Sequence, residues 1–172
     1  MPAAGRLLGG DGAQAEALGL QGDRAAAGEG VVRVLKDAGR EVREILLEPG
    51  TGEETVVCTG EAVATAYRAL EANPCTHAVA VGAGTVNDIV KMGAFRARLD
   101  YTAVATAPSM NGYTSSIAAI LDDGVKTTQP CNAPLAALAD PEVMAAAPYR
   151  MIASGIGDLY SKPVSNADWR LG

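Results

Sequence analysis

Residues 78–116 read AVAVGAGTVNDIVKMGAFRARLDYTAVATAPSMNGYTSS, and this order of patterns leaves few folds open. Ala78 to Val81 is a short apolar run of strand length, after which Val86, Ile89, Val90 and Gly93 recur at helical spacing. Between them, Gly82 and Gly84 remove side chains where a backbone must approach a ligand closely. A helix opening at Thr85 points unpaired N–H groups and its positive dipole end at that turn, so an anion is the natural guest. A compact strand-to-helix turn with no ligand would use the same glycines. Tyr101 to Ala105 is a second apolar run, and the polar loop Thr106 to Ser116 should leave it at the same carboxyl edge of a parallel sheet, where ligands bind.

The flanking sequence continues the alternation. Val31, Val34, Leu35 and Ala38 fall on one helical face ended by Gly39, and Val42 to Leu47 reads as a strand ended by Pro49-Gly50. Val63, Ala66, Tyr67 and Leu70 make a second helical face, capped by Thr59 and stopped at Asn73-Pro74. Ile117 to Leu121 and Val125 to Thr128 predict an inserted β-hairpin, and Leu135 to Ala139 another short buried strand. Asp140-Pro141-Glu142 starts one helix and Pro148 a further one, in which Pro163 is expected to introduce a kink or an end. The fold class expected is α/β: a Rossmann-like parallel sheet flanked by helices, with an inserted hairpin. Residues 1–22 lack a β-branched run and are expected to be poorly ordered or a degenerate first strand. They contain neither a secretory signal nor a membrane span.

Composition narrows the partners. A formal charge of −6 and a pI near 4.8 argue against nucleic acid or an anionic membrane surface, yet allow a local phosphate site made of backbone N–H groups. Cys58, Cys75 and Cys131 are odd in number and scattered, which suits free thiols in a reducing, cytoplasmic compartment and shows no zinc cluster. His77 follows Pro74 and is expected at the surface.

Taken together, GAGTVND-x-x-K (Gly82 to Lys91), TAPSMNGYTSS (Thr106 to Ser116) and SGIGDLYSK...ADW (Ser154 to Trp169) resemble the sn-glycerol-1-phosphate dehydrogenases. These belong to the metal-dependent, iron-type alcohol dehydrogenase and dehydroquinate synthase superfamily. The resemblance covers the chain from roughly Ala25 to Leu171. It implies a nucleotide-binding domain over residues 23–147 and, over 148–172, the first helices of a truncated all-helical metal-binding domain. It implies NAD or NADP as cofactor, held by Gly82, Gly84, Thr85, Val86, Asn87, Asp88, Thr106, Ser109 and Ser115. Lys91, Asn111 and Asp158 are implied at the substrate, a phosphorylated triose, with Asn111 and Asp158 catalytic. Asp158 is also the implied ligand of a divalent ion, zinc or nickel, together with two later histidines. Other readings of the same residues remain open: Asp88 as a first-turn dipole partner, Lys91 as a surface i,i+3 pair, Asp158 as a solvated helix residue.

The sequence departs from the family where it normally has aspartate and here has Asn111, since an amide takes up no proton at neutral pH. The function implied is interconversion of dihydroxyacetone phosphate and sn-glycerol 1-phosphate, with this chain inactive by itself and a homo-oligomer possible. The alternatives are a non-catalytic nucleotide-binding remnant of the same fold, or a diacylglycerol-kinase-like phosphotransferase.

Overall fold

The computed structural model describes residues 14–19, 21–72 and 75–171. Its centre is a parallel sheet of five strands in the order β2-β1-β3-β4-β7, formed by Gln14–Gly19 (β1), Glu41–Leu46 (β2), His77–Gly82 (β3), Asp100–Ala105 (β4) and Ala136–Ala139 (β7). Ile117–Asp122 (β5) and Val125–Pro130 (β6) form a separate antiparallel hairpin. The helices are Glu29–Asp37 (α1), Gly60–Ala72 (α2), Gly84–Ala97 (α3), Pro141–Ala145 (α4) and Tyr149–Leu171 (α5). A short helical turn at Gln21–Asp23 and a π-helical segment at Arg24–Gly28 lead into α1.

Period-two alternation sorts the strands between two cores. Ala78 and Ala80 of β3 pack with Leu18, Val63, Ala66, Ile89 and Val90 under α2 and α3, and the hairpin adds Ala118 and Ile120. Val79 and Val81 turn the other way, onto Val32 and Leu35 of α1. On α1 it is Val32 rather than Val34 that is buried, Val34 being half exposed. The expected caps are present: Thr59 Oγ1 accepts from Ala62 N at 3.1 Å, Asp140 Oδ1 accepts from Glu142 N at 2.8 Å, and Gly39 closes α1 at φ 75°. The stop at Asn73-Pro74 falls outside the described residues.

Four expectations are corrected. Far from degenerate, β1 is a regular strand bonded in register to β2 on one side and β3 on the other, so pairing on both edges overrides its poor intrinsic propensity; residues 1–13 lie outside the described set. β7 is not buried; it is a sheet edge, with Leu138 52% exposed. His77 is not on the surface: it is 3% exposed, its Nε2 lies 2.9 Å from Thr102 Oγ1, and burial pushes its pKa down. Of the two outcomes expected at Pro163, a kink or an end, the end is overturned, since helix α5 runs to Leu171; on a solvent-facing helix water can take the one orphaned carbonyl, and Ser165 Oγ donates to Ser161 O at 3.1 Å in the same turn.

One strand residue is out of place. Glu16 is 2% exposed, neither carboxylate oxygen has a hydrogen bond, and its nearest cation is Arg43 Nη1 at 3.7 Å. Burial outweighs Arg43 and raises its pKa above the ordinary 4.5. A raised carboxyl favours the protonated folded state, so stability is greatest below the ordinary value and falls as pH rises through the raised one. Glu16→Met keeps the volume and removes the charge. It is expected to stabilise the chain by about 1–2 kcal/mol at pH 8, with a smaller gain at pH 4, as read by thermal melts at both pH values.

Candidate functional site

The strand order reverses direction at β1 and β3: β2 lies beyond one and β4 beyond the other, which opens a crevice at their carboxyl ends. The chain is close-packed there. An ideal Cβ on Gly19 would stand 2.5 Å from Val81 O, and one on Gly82 would stand 2.6 Å from Val86 Cβ and 2.9 Å from Asp23 Oδ2. Helix α3 starts over this crevice. Its N-cap, Ala83, is extended (φ −78°, ψ −171°) and offers no side-chain cap, while the Ala83 carbonyl accepts from Asn87 N at 3.0 Å. The first-turn N–H groups of Gly84 and Thr85 therefore open on solvent at the positive end of a helix of 14 residues.

Two clefts meet at Ala83 and Met151. The larger, about 670 Å³, is lined by Gly84, Thr85, Asp88, Ser109, Met110 and Ser154 and carries two cations, Lys126 of the hairpin and Arg150 of α5. The smaller, about 560 Å³, is mostly apolar and is lined by Asp23, Thr106, Glu142 and Val143 among others. Cys58 also lines the larger cleft, but burial pushes its thiol up to about 12, so it is no nucleophile at neutral pH.

The residues expected at the cofactor divide into those that reach the clefts and those that hold the fold. Gly84, Thr85 and Ser109 line the larger cleft, and Thr106 lines the smaller with its hydroxyl donated to Asp23 Oδ1 at 2.6 Å. Val86 and Asn87 are each 1% exposed, with their side chains turned into the core. Asp88 lines the larger cleft, yet Oδ2 accepts from Ala119 N at 3.1 Å and Oδ1 takes Lys91 Nζ and Asn87 Nδ2, each at 3.3 Å. Its main task is to clamp α3 to the hairpin.

Lys91 is not a surface pair, and its ammonium is taken up within the fold. Its side chain is 0% exposed, and Nζ reaches Ile117 O at 2.9 Å, Ser115 Oγ at 3.1 Å, Gly112 O at 3.2 Å and Asp88 Oδ1 at 3.3 Å. Three ammonium protons facing four acceptors leave none for a ligand. Ser115 is drawn into the same knot, with its Oγ donated to Gly112 O at 2.8 Å.

Asn111 and Asp158 do come together, through the backbone. Asn111 N donates to Asp158 Oδ2 at 2.8 Å, and Lys162 Nζ binds Oδ1 at 3.1 Å. The Asn111 N–H first, and Lys162 second, hold this carboxyl below its usual range. The junction depends on Gly155: a Cβ there would run into the Pro108 carbonyl oxygen and stand 2.9 Å from its carbon. Gly155→Ala is expected to push α5 off the loop, break the Asn111–Asp158 bond and destabilise by about 2 kcal/mol. Thermal melting, with faster amide exchange at Asn111, is the check.

A divalent ion fits this arrangement poorly. Among the described residues no group of three His, Cys, Asp or Glu side chains lies close enough to hold one, and both oxygens of Asp158 are engaged. His77, at the amino end of β3, is at the opposite edge of the sheet. Sequence reasoning also missed Asp23, Met110, Lys126 and Arg150, which line the clefts from separate elements and share no spacing that a motif could show.

The comparisons with known proteins agree with this architecture. Residues 19–148 match the iron-containing alcohol dehydrogenase family. The glycerol-1-phosphate dehydrogenase [NAD(P)+] of Geobacillus thermodenitrificans is 45% identical over 92 residues, covering 54% of this chain and 23% of that protein. That of Methanosarcina mazei is 35% identical over 145 residues, covering 84% of this chain and 38% of that protein. The chain thus spans well under half the length of these relatives. The crystal structure of an iron-containing alcohol dehydrogenase from Thermotoga maritima superimposes with a TM-score of 0.76 at 14% identity, over 88% of this chain and 46% of that one, a likeness of fold. With the family match spanning most of its length and the same fold beneath it, this chain belongs to the iron-containing alcohol dehydrogenase family.

Proposed function

We propose that the chain is the dinucleotide-binding part of an NAD(P)-dependent oxidoreductase that interconverts dihydroxyacetone phosphate and sn-glycerol 1-phosphate. The observation that carries this reading is the uncapped start of α3 above the β1–β3 crevice, where Gly84 and Thr85 open on a cleft. The bare backbone at Gly84 suits a pyrophosphate, because a side chain there would crowd Met110, which lines the same cleft; Gly82 is kept bare by the approach of Val86 and Asp23. The dinucleotide, when bound, supplies or accepts the hydride. The chain's own part is to hold it: backbone N–H groups at Gly84 and Thr85 take the pyrophosphate, and Ser109 and Ser154 line the way toward Asn111 and Asp158. Lys126 and Arg150 offer a triose phosphate the positive charge that an acidic chain otherwise lacks. A zinc or nickel ion at Asp158 needs ligands that the described residues do not bring together, so no step is assigned to it. The start of a helical metal-binding unit at Tyr149–Leu171 belongs to the same proposal.

Asn111 and the Lys162–Asp158 pair favour a second reading, a dinucleotide-binding remnant without turnover, because neither residue is then placed to move a proton. Membership of the dehydrogenase family sets the phosphotransferase aside. No helix among the described residues is long and apolar enough to cross a membrane. Calorimetric titration with NADH, followed by an NADH-oxidation assay with dihydroxyacetone phosphate and zinc or nickel, tests both. Binding without turnover is expected of the 172-residue chain; absence of binding would remove the cofactor reading, and metal-dependent turnover would remove the remnant.

A further inference from the structure

We infer that Glu16 anchors a site for a small organic cation bearing N–H donors, a guanidinium or alkyl-ammonium group, at the amino ends of β1 and β2. The dinucleotide crevice lies at the carboxyl ends of the strands, so the two sites occupy opposite edges of the sheet. Glu16 is the register partner of Arg43 across the β1–β2 pair, as Gln14 is that of Glu41. Leu18, two residues on from Glu16, is part of the core under α2 and α3, and Ile45, two on from Arg43, packs against it. By the period of two all six side chains share one face of the sheet. That face is apolar at Leu18 and Ile45 and turns polar toward the amino ends.

A cavity of about 140 Å³ opens there, lined by Gln14, Glu16, Glu41, Arg43 and Cys75 among others. Glu16 is 2% exposed and lines this cavity, yet neither of its carboxylate oxygens has a hydrogen bond. A buried carboxylate is stable only with donors around it, so the site lacks N–H or O–H groups and positive charge. The neighbours do not supply them. Gln14 Nε2 donates to Glu41 Oε2 at 2.7 Å, and Arg43, its side chain 52% exposed, keeps Nη1 3.7 Å from Glu16 Oε1, beyond hydrogen-bond reach. Burial pushes the Cys75 thiol up, so it adds no charge at neutral pH. Among the described lining residues two carboxylates, Glu16 and Glu41, face the single cation Arg43. A metal ion suits the cavity poorly, because no group of three His, Cys, Asp or Glu among the described residues can hold one. A guanidinium or ammonium group brings what is missing, a positive charge with an N–H for each oxygen, in a body that the cavity can hold.

The test is calorimetric titration of the 172-residue chain at neutral pH with methylguanidinium chloride, beside tetramethylammonium chloride, which carries the same charge and no N–H. Methylguanidinium is expected to bind at millimolar concentration and to raise the melting temperature, and tetramethylammonium to do neither. Glu16→Gln, which keeps the shape and removes the charge, should weaken the binding at least about 10-fold. Glu16→Met, expected above to stabilise the fold, should abolish it. Acetyl-arginine amide in place of methylguanidinium distinguishes the sources of the cation. Equal affinity means that the cavity admits an arginine side chain of a peptide, and loss of binding means that it takes a free cation; either result supports the site. Absence of saturable methylguanidinium binding, equal binding by tetramethylammonium, or an affinity that both Glu16 variants leave unchanged overturns the inference, and each leaves the dinucleotide reading untouched.

Discussion

Replacing Gly84 by valine is expected to weaken NADH binding at least about 100-fold, roughly 2.7 kcal/mol, while the fold persists. Gly84 is the first residue of α3, and a Cβ there would come 2.8 Å from Met110 Sδ, 3.2 Å from its Cγ and 3.3 Å from its Cε. All three atoms belong to a flexible side chain that can swing away, so the substitution costs the helix little more than the propensity difference. The dinucleotide fares worse. Both the isopropyl group and the displaced Met110 then occupy the cleft where Gly84 and Thr85 present their N–H groups, and a pyrophosphate cannot reach them. Gly84→Ala should give an intermediate loss. Calorimetry with NADH, alongside circular dichroism to confirm the fold, is the measurement, and unchanged affinity in Gly84→Val means the phosphates lie elsewhere.

What the sequence made legible is what local periodicity encodes. The β3-turn-α3-β4 unit followed from runs of period 2 and period 3.6 interrupted by glycines, and the hairpin from two short runs about Asp123-Gly124, with both residues at positive φ. What stayed hidden is what depends on distant chain. Strand β1 has no β-branched residue, and its regularity comes from neighbours that arrive 27 and 62 residues later, as in Gln14 to Glu41 and Thr76 to Gln14 O. His77 follows a proline that suggested an exposed turn, but the register sets it opposite Asp100 and Ala15 inside the sheet. The same limit governs the site. Its helix terminus was readable because it is one contiguous motif, whereas the Asp23–Thr106 bond joins residues 83 apart and no spacing rule reports it.

Lys91 shows how a local pattern can mislead, and its replacement by methionine is expected to be among the most damaging single changes, at about 3 kcal/mol or more. Three residues beyond Asp88 on a helix, it has the spacing of a solvent-side ion pair worth a few tenths of a kcal/mol. The loop at 112–117 instead wraps over it, so that its ammonium holds the Gly112 and Ile117 carbonyls as well as Asp88. Methionine fills much the same space but offers no donor. Asp88, with a side chain only 15% exposed, then keeps its charge without a cation, and two backbone carbonyls lose a partner. For a chain of this size the loss corresponds to a fall in melting temperature of roughly 6–12 °C. A substrate role makes the opposite prediction: unchanged melting with weaker binding of dihydroxyacetone phosphate. The double change Lys91→Met with Asp88→Asn separates the two further. If the cost comes from a stranded carboxylate, the pair of substitutions should be more stable than Lys91→Met by about 1 kcal/mol, although it removes another charge from the molecule; additive losses in thermal melts would show that the ammonium acts through the loop carbonyls and not through Asp88.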